Sequence, residues 1–542
     1  MTHKLDNSSE TSLQQNSYNG LGQLTGTTNS VFATSYAYDI HSWLKRIYSW
    51  NQSALFEENL KYADSDNPCY NGNISAMTWQ NNGSTTQRYD YIYDNASRLV
   101  SSSYTSGSNS NRYNTLYSYD CMGNITSLSR NGLLDDGSYG LIDDLTLTYD
   151  GNQLMAVSDD GEDPTYNNAW NFMDGSDSEI EYEYDANGNV TKDLNRNILS
   201  IQYNSLNLPS VIEFVGGKTI KYTYSADGHK LRAVYTTVTP ATTKQIDYCG
   251  NLIFENGQLK QMLFEGGYIP MDDMSGAYCF YVKDHLGNNR MVVHPSGTVE
   301  QVNNYYPYGG LMSNSTGWNT QRYKYNGKEF DRMHGLDWYD YGARWMDAAI
   351  GRWHVMDPLC EKYYDVSPYN YCRNNPILYF DKNGCEGEGF LTKFGDSFQN
   401  VGLAAAAFGT ATIIISAEAE IATLGVSSIP SVVGVSSGAA AIIAGSVTYT
   451  IGSAMKITER IMQNASSQGK KSVDSGKNER HGDGGRAMNR PSTAKQIKDL
   501  DAQIKNAKNK KERQRLEKKQ DNIKREAQRK KHGEEHSRGS KR

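Results

Sequence analysis

The feature that most constrains this 542-residue chain is a short aromatic phrase, YxYD or a near variant, that recurs through its first half. It stands as YAYD at 36–39, YIYD at 91–94, YSYD at 117–120, LTYD at 147–150, YEYD at 182–185 and YTYS at 222–225. Alternation before the acidic residue puts both tyrosines on one face of a strand. A turn follows, often with Gly, as in MGNIT at 122–126 and ANGNV at 186–190, because Gly takes positive φ at no steric cost. Each unit is a strand, a turn and a strand whose aromatic face finds no cover within the unit, so units must stack. Spacing is uneven, from 26 to about 55 residues, with polar inserts such as SSSYTSGSNSNR at 101–112. A generic β-solenoid or propeller fits the same pattern.

Only 37% of the residues are hydrophobic, yet there are 39 Tyr and 49 Gly. Such a chain builds layers rather than an aliphatic core, since each buried Tyr ring carries a hydroxyl that needs a partner. The seven cysteines (Cys69, Cys121, Cys249, Cys279, Cys360, Cys372 and Cys385) are scattered, odd in number and without a CxxC pair. Free thiols are expected, not a disulfide framework or a zinc site, and nothing indicates a cofactor. The first fifteen residues lack an apolar h-region, so no cleavable signal peptide is expected. Charge is unevenly placed. Residues 468–542 hold 24 of the 54 Lys and Arg but 11 of the 61 Asp and Glu, a net charge near +13, against about −20 for the remainder. An acidic body with a basic tail suggests two separate functions.

Residues 245–330 continue as strands, with turn words ENGQ at 255–258 and HLGNN at 285–289 between alternating apolar runs, the pattern of hairpins. His285, inside the second turn, reads as structural rather than catalytic. The run 331–384 is dense in Tyr, Trp, Gly and Asn and poor in helix formers. It predicts short twisted strands joined by tight turns, with aromatics as the packing material.

That run also carries YDYGAR at 339–344, GRW at 351–353, MDP at 356–358, SPYNYCRNNP at 367–376 and Asp381 to Gly384, in order. The series resembles the RHS repeat-associated core of bacterial polymorphic-toxin proteins, and the upstream phrase resembles the YD (RHS) repeat; KDHLGNNRMVV and YYPYGGL resemble the Bacteroides type. The resemblance implies a mainly β fold, with YD repeats over 1–244 winding a shell and the core over 245–385 plugging it, followed by a small α-helical C-terminal region. It also implies a variable C-terminal toxin, a cognate immunity protein, and export by a specialised route; an orphan fragment would be cytoplasmic. Few repeat units precede the core and the chain opens inside one, at YNGLGQL (18–24). A C-terminal part of a longer protein, or one product of a split gene, is therefore expected, with a missing N-terminal shell portion as partner.

In related proteins two aspartates of the core cut the chain after a D-P-x-G-Leu motif, one activating water and the other protonating the leaving amide. The resemblance carries these roles to Asp357 and Asp381. The motif here reads Asp381-Lys382-Asn383-Gly384-Cys385, without the Pro or the Leu, and Asn370 stands where some relatives place an Asp. Asp347 is followed by Ala348 where the family favours Pro. A purely structural plug is the competing expectation, and the better supported one.

Beyond the core, residues 386–467 switch to an apolar, small-residue composition, strongest at 401–416 and 431–454 and broken by Glu418, Glu420 and Pro430. A pre-toxin helical hairpin with conditional membrane contact through 401–454, a packed helical domain, and a sheltered linker all fit. Residues 468–542 read as a basic helical hairpin, with Ile497, Leu500 and Ile504 on one face and Leu516, Ile523 and Ala527 on another. Its charge is a signal for nucleic acid. His481, Asp483 and Arg486 precede this hairpin and Glu534, Glu535 and His536 follow it. Folded back, His481 and His536 would serve as base and acid in metal-independent RNA cleavage, with arginine holding the phosphorane; with Asp483 and Glu535 the set could instead hold a metal. A nuclease toxin, a binding tail and an inactive remnant remain open.

Overall fold

A computed structural model describes residues 2–3, 10–164, 171–271, 276–317, 319–385 and 387–389. The chain divides into two compact units, Met1–Pro430 and Ser431–Arg542, and all described residues lie in the first. The fold is mainly β. Among the described residues the helical elements are single 3-10 turns of three residues, and no helix is long and apolar enough to cross a membrane. The apolar 401–454 segment and the basic 468–542 segment, for which a helical hairpin is expected, lie outside the described residues.

Two 13-stranded sheets carry most of the structure. The first meanders from Gln15–Tyr18 to Gln153–Asp159, the second from Tyr182–Tyr184 to Val299–Val302, and consecutive strands pair antiparallel throughout apart from one short branch. The ladder passes through residue 244 inside the strand Ala241–Cys249, so the sheet gives way to irregular chain only after Val302. A four-stranded sheet follows, of Glu329–Asp331, Trp338–Asp340, Trp345–Asp347 and Arg352–Trp353. Last comes a two-stranded hairpin pairing Tyr379–Asp381 with Gly387–Gly389.

The repeat phrase works by two local devices. The Asp that ends it folds its own turn: Asp120 Oδ1 accepts the backbone N–H of Met122 and of Asn124, both at 2.8 Å. Asp39, Asp94, Asp185, Asn204 and Asp284 do the same for the residues two and four positions on. The third residue after the Asp takes positive φ, and Gly123, Gly188 and Gly287 fill it as the sequence predicts. Ser42, Ser97 and Asn207 fill it elsewhere, where the Asp bonds hold the turn without a glycine.

The second device is a latch. In several units the Tyr just before the turn donates its hydroxyl to a backbone carbonyl of the preceding unit. Tyr38 reaches Leu24 at 2.9 Å, Tyr149 reaches Ile125 at 2.8 Å, Tyr203 reaches Val190 at 2.6 Å, and Tyr119 reaches Leu99. Leu24, Leu99, Ile125 and Val190 each stand five residues beyond the Asn or Asp that opens the preceding turn. Each such bond contributes about 1 kcal/mol net, and together they lock the spacing of successive units.

The inner faces of both sheets close on the segment 303–381, which is the plug. One contiguous core joins Trp79, Tyr89 and Tyr117 of the first sheet, Ile212, Tyr222 and Tyr235 of the second, and Tyr308, Trp338, Trp345 and Trp353 of the plug. Buried polar bonds fix its orientation: Trp79 Nε1 to Asn304 Oδ1 at 2.9 Å, Tyr306 hydroxyl to the Asn131 carbonyl at 2.7 Å, and Asn374 Nδ2 to the Gly123 carbonyl at 2.7 Å. Charges bridge shell to plug as well. Lys230 sits between Glu329 (2.9 Å) and Asp340 (2.7 Å), and Arg196 meets Asp347 at 2.6 Å.

Candidate functional site

The last strand of the plug leads Asp381 under the guanidinium of Arg344, and the loop after Trp353 brings Asp357 to the same group. Arg344 Nη2 lies 2.9 Å from Asp357 Oδ2 and 3.5 Å from Asp381 Oδ2. Arg344 and Asp381 are both 2% exposed. The guanidinium also stacks on Trp353, 4.1 Å from the ring centre, and donates through Nε to the carbonyl of Gly384. Asp381 Oδ1 in turn accepts the backbone N–H of Asn383 at 3.0 Å and of Gly384 at 2.7 Å. Gly384 has φ of +81°, and a Cβ there would stand 2.8 Å from the backbone nitrogen of Arg344. The glycine is thus required on two grounds, conformation and space.

The two aspartates expected from the RHS resemblance therefore come together, but across an arginine. Burial raises the pKa of Asp381 and the neighbouring Arg344 opposes that rise. Burial lowers the pKa of Arg344, and Asp357 and Asp381 oppose it. The arginine stands between the two carboxylates, so they meet through its guanidinium, and at Asp381 it opposes the protonation that burial favours. The same arginine polarises the Gly384 carbonyl. Chemically the arrangement can pin the exit hairpin, and it can withdraw electrons from the peptide bond that follows Gly384.

Asn370 is not at this centre; its Nδ2 donates to the Gly123 carbonyl at 3.1 Å, against a shell turn. Asp347 belongs to the Arg196 pair. His481, Asp483, Arg486 and His536 lie outside the described residues.

Sequence reasoning missed a second charged centre, which meets the plug at Ile377, four residues before Asp381. His285 is buried with Nδ1 3.0 Å from Glu58 Oε1 and Nε2 3.0 Å from the Ile377 carbonyl. Both partners are acceptors, so both ring nitrogens must donate and the ring is an imidazolium. Burial pushes its pKa down, but the Glu58 carboxylate and Asp284 outweigh that and raise it to about 9. Asp284, pushed up to about 6 by burial and by Glu58, faces Arg290 at 3.8 Å. Glu58, Asp284 and His285 lie close enough to ligate an ion. Two anions and two cations already balance there, however, and the His285 nitrogens are both engaged. The cluster is an ion-pair clamp joining the strand Ser53–Lys61, the turn 284–288 and the plug. The turn position of His285 foretold a structural role; nothing in the sequence pointed to Glu58, 227 residues away.

The class defined by fold and site is a β-shell wound from tyrosine-latched repeats and closed on an aromatic plug, with an arginine-bridged carboxylate pair at the hairpin of Tyr379–Asp381 and Gly387–Gly389. No family model matches the sequence. A 224-residue stretch is 31% identical to salivary gland surface protein 1 of Aedes aegypti, over 37% of this chain and 6% of that protein; the chain thus spans a small fraction of that relative. Among solved structures, the TcdB2-TccC3-Cdc42 crystal structure superposes with a TM-score of 0.44 at 16% identity, covering 70% of this chain and 22% of that one. The Photorhabdus luminescens Tc holotoxin pore carrying a TccC3 mutation superposes with a TM-score of 0.43 at 17% identity, covering 69% and 21%.

Proposed function

We propose that this chain is an RHS-type shell-and-plug protein that holds and presents its C-terminal segment, a basic nuclease-type effector used in interbacterial competition. The observation that carries this reading is the exit hairpin, where Arg344 grips Asp357, Asp381 and the Gly384 carbonyl just before the acidic body gives way to apolar and then basic chain. Four groups from three segments of the chain converge to immobilise the hairpin that precedes the tail. On this reading the tail stays covalently attached, His481 and His536 act on a phosphodiester with Asp483 and Arg486 beside them, and a cognate immunity protein protects the producer. Segment 401–454 supplies transient membrane contact during export and delivery, and a further N-terminal shell portion completes the enclosure.

Inducing the full chain from a tightly repressed promoter in a bacterial host is expected to arrest growth and degrade RNA or DNA. His481→Ala or His536→Ala is expected to abolish both effects. Healthy growth with verified soluble expression would leave a non-enzymatic surface or interaction protein, or an inactive remnant, as the function.

The Gly384 carbonyl on Arg344 favours one second reading, self-cleavage after Gly384 with Asp357 as the acting carboxylate. Intact mass decides between the two. A full-length chain is expected; a split near Gly384 that Asp357→Asn prevents would establish cleavage.

A further inference from the structure

One buried ion cluster ties shell to plug through a primary amine. Other buried carboxylates are met by arginine, at Arg130, Arg196 and Arg344, whose guanidinium keeps its proton in any protein setting. Lys230 opens the strand Lys230–Val238 of the second sheet. Its Nζ lies 2.7 Å from Asp340 Oδ2 and 2.9 Å from Glu329 Oε2, and the side chains of Lys230, Asp340 and Glu329 are 7%, 12% and 7% exposed. The lysines of the other described ion pairs, Lys45, Lys192 and Lys244, reach the surface.

The two carboxylates have separate surroundings. Glu329 and Asp340 stand directly opposite one another on neighbouring antiparallel strands, where like charges repel, and the amine sits against both. Burial would raise the pKa of Glu329, but Lys230 and Arg322 outweigh it and hold it below the ordinary carboxylate value. Its Oε1 also accepts the Tyr248 hydroxyl at 2.8 Å and Arg322 Nη1 at 3.3 Å. Asp340 Oδ1 accepts the backbone N–H of Gly342 at 2.8 Å, which leaves Oδ2 to the amine. The rings of Tyr222, Tyr248 and Trp345 wall the site, with centres 5.6, 4.9 and 4.9 Å from Nζ. Burial disfavours the charge on Lys230, yet Asp340 and Glu329 outweigh it and keep its pKa well above the ordinary lysine value. The resting state is therefore an ion pair, whose amine is released by passing a proton to a carboxylate that already touches it.

We propose that Lys230 and Asp340 condense into an intramolecular isopeptide bond, with Glu329 carrying the proton, and that this link staples the second sheet to the plug. The pair already contains every atom of one amide and one water. One ammonium proton passes to Asp340 Oδ2 along the 2.7 Å contact, and the freed Nζ attacks Cγ to form the C–N bond. The negative charge gathers on Oδ1, where the Gly342 N–H receives it. Glu329 takes a second proton from Nζ and delivers it to Oδ2; the Cγ–Oδ2 bond breaks, water leaves, and the third proton stays on the amide nitrogen. Nothing is oxidised or reduced. The product removes two opposite charges from a site where each is costly to bury, and the closed loop restricts the unfolded chain. The inference rests on this cluster and not on the effector reading, so it stands or falls separately from it.

The test is the mass of the full chain, purified folded and then denatured. Wild type is expected to be lighter than its sequence by one water. Proteolysis is expected to release a branched peptide that joins the segments holding Lys230 and Asp340, read by tandem mass spectrometry. Asp340→Asn is expected to lose one ammonia instead, since the same attack then expels the amide nitrogen; a purely ionic role for position 340 gives no such loss. Lys230→Arg and Glu329→Gln are expected to keep their full sequence masses. A folded wild-type chain at full sequence mass would overturn the inference, and so would a lost water that maps to any other pair of residues. Both readings come from wild type alone, so they decide the matter even where a variant fails to fold. Linkage in Glu329→Gln to the wild-type extent would overturn the role given to Glu329.

Discussion

The repeat ladder and the plug solve one problem, burying aromatic surface in a chain with few aliphatics, by opposite means. In the ladder every device is local. Asp120 bonds residues two and four positions away, and Tyr149 reaches Ile125, 24 residues back. The contacts that tie the two sheets to each other and to the plug are long-range and charged. His285 and Glu58 are 227 residues apart, Arg196 and Asp347 are 151 apart, and Arg130 of the first sheet donates to the Ala349 carbonyl at 2.8 Å. Many modest, repeated contacts make a ladder tolerant of losing one of them. A buried charge whose partner is removed is left uncompensated, so the plug should tolerate little.

The sharpest break in that comparison is Arg344→Ala. It leaves Asp357 and Asp381 without their shared cation, and a loss of about 3–5 kcal/mol is expected from denaturant unfolding, the usual cost of breaking a buried pair. Equal stability of wild type and variant would mean that the carboxylates find protons or water at no cost, and the clamp would be incidental.

A pH series separates the regions next. His285 has a folded pKa raised to about 9 against about 6.5 unfolded. Its contribution is therefore fully present below about pH 6.5 and is lost as pH rises through about 9. Between pH 6.5 and 9.5 the urea midpoint of wild type is expected to fall, with a flatter profile for His285→Gln. Matching profiles would place the pH dependence elsewhere.

The smallest effect is expected in the ladder. Tyr149→Phe removes one hydroxyl bond and should cost about 1 kcal/mol with no change in the slope of unfolding with denaturant. A loss as large as that of Arg344→Ala would erase the distinction between local and long-range fixing.

The same distinction explains what could be read in the sequence. The β class, the hairpin turns and the tyrosines on one strand face are legible, because each follows from spacing within one unit, whereas the plug is what the RHS resemblance implies. The sequence marks Asp-x-x-Gly as the chain reversal and glycine at Gly123 and Gly188, but not the bonds through which the Asp folds the turn. Its role in folding the turn shows at Ser42 and Ser97, where no glycine helps. The Asp357–Asp381 pairing was reached through the RHS resemblance. Arg344 was not, because an arginine in YDYGAR carries no local mark of a carboxylate 37 residues on. Glu58 was invisible for the same reason, standing in an ordinary alternating strand. Long-range ionic pairs leave no periodicity, so the part of the molecule that fixes the plug is the part that sequence pattern conveys least.

The most direct measurement of the central claim is residue-resolved hydrogen exchange on the intact chain, wild type against Arg344→Ala. The plug is pinned at its exit by Arg344 while the ladder stands on its own bonds. The variant should therefore exchange faster at Tyr379–Gly384 and across 367–376, with the strands from Leu24–Thr28 to Tyr139–Asp150 unchanged. Faster exchange spread evenly over ladder and plug, or none at the exit hairpin, would contradict it.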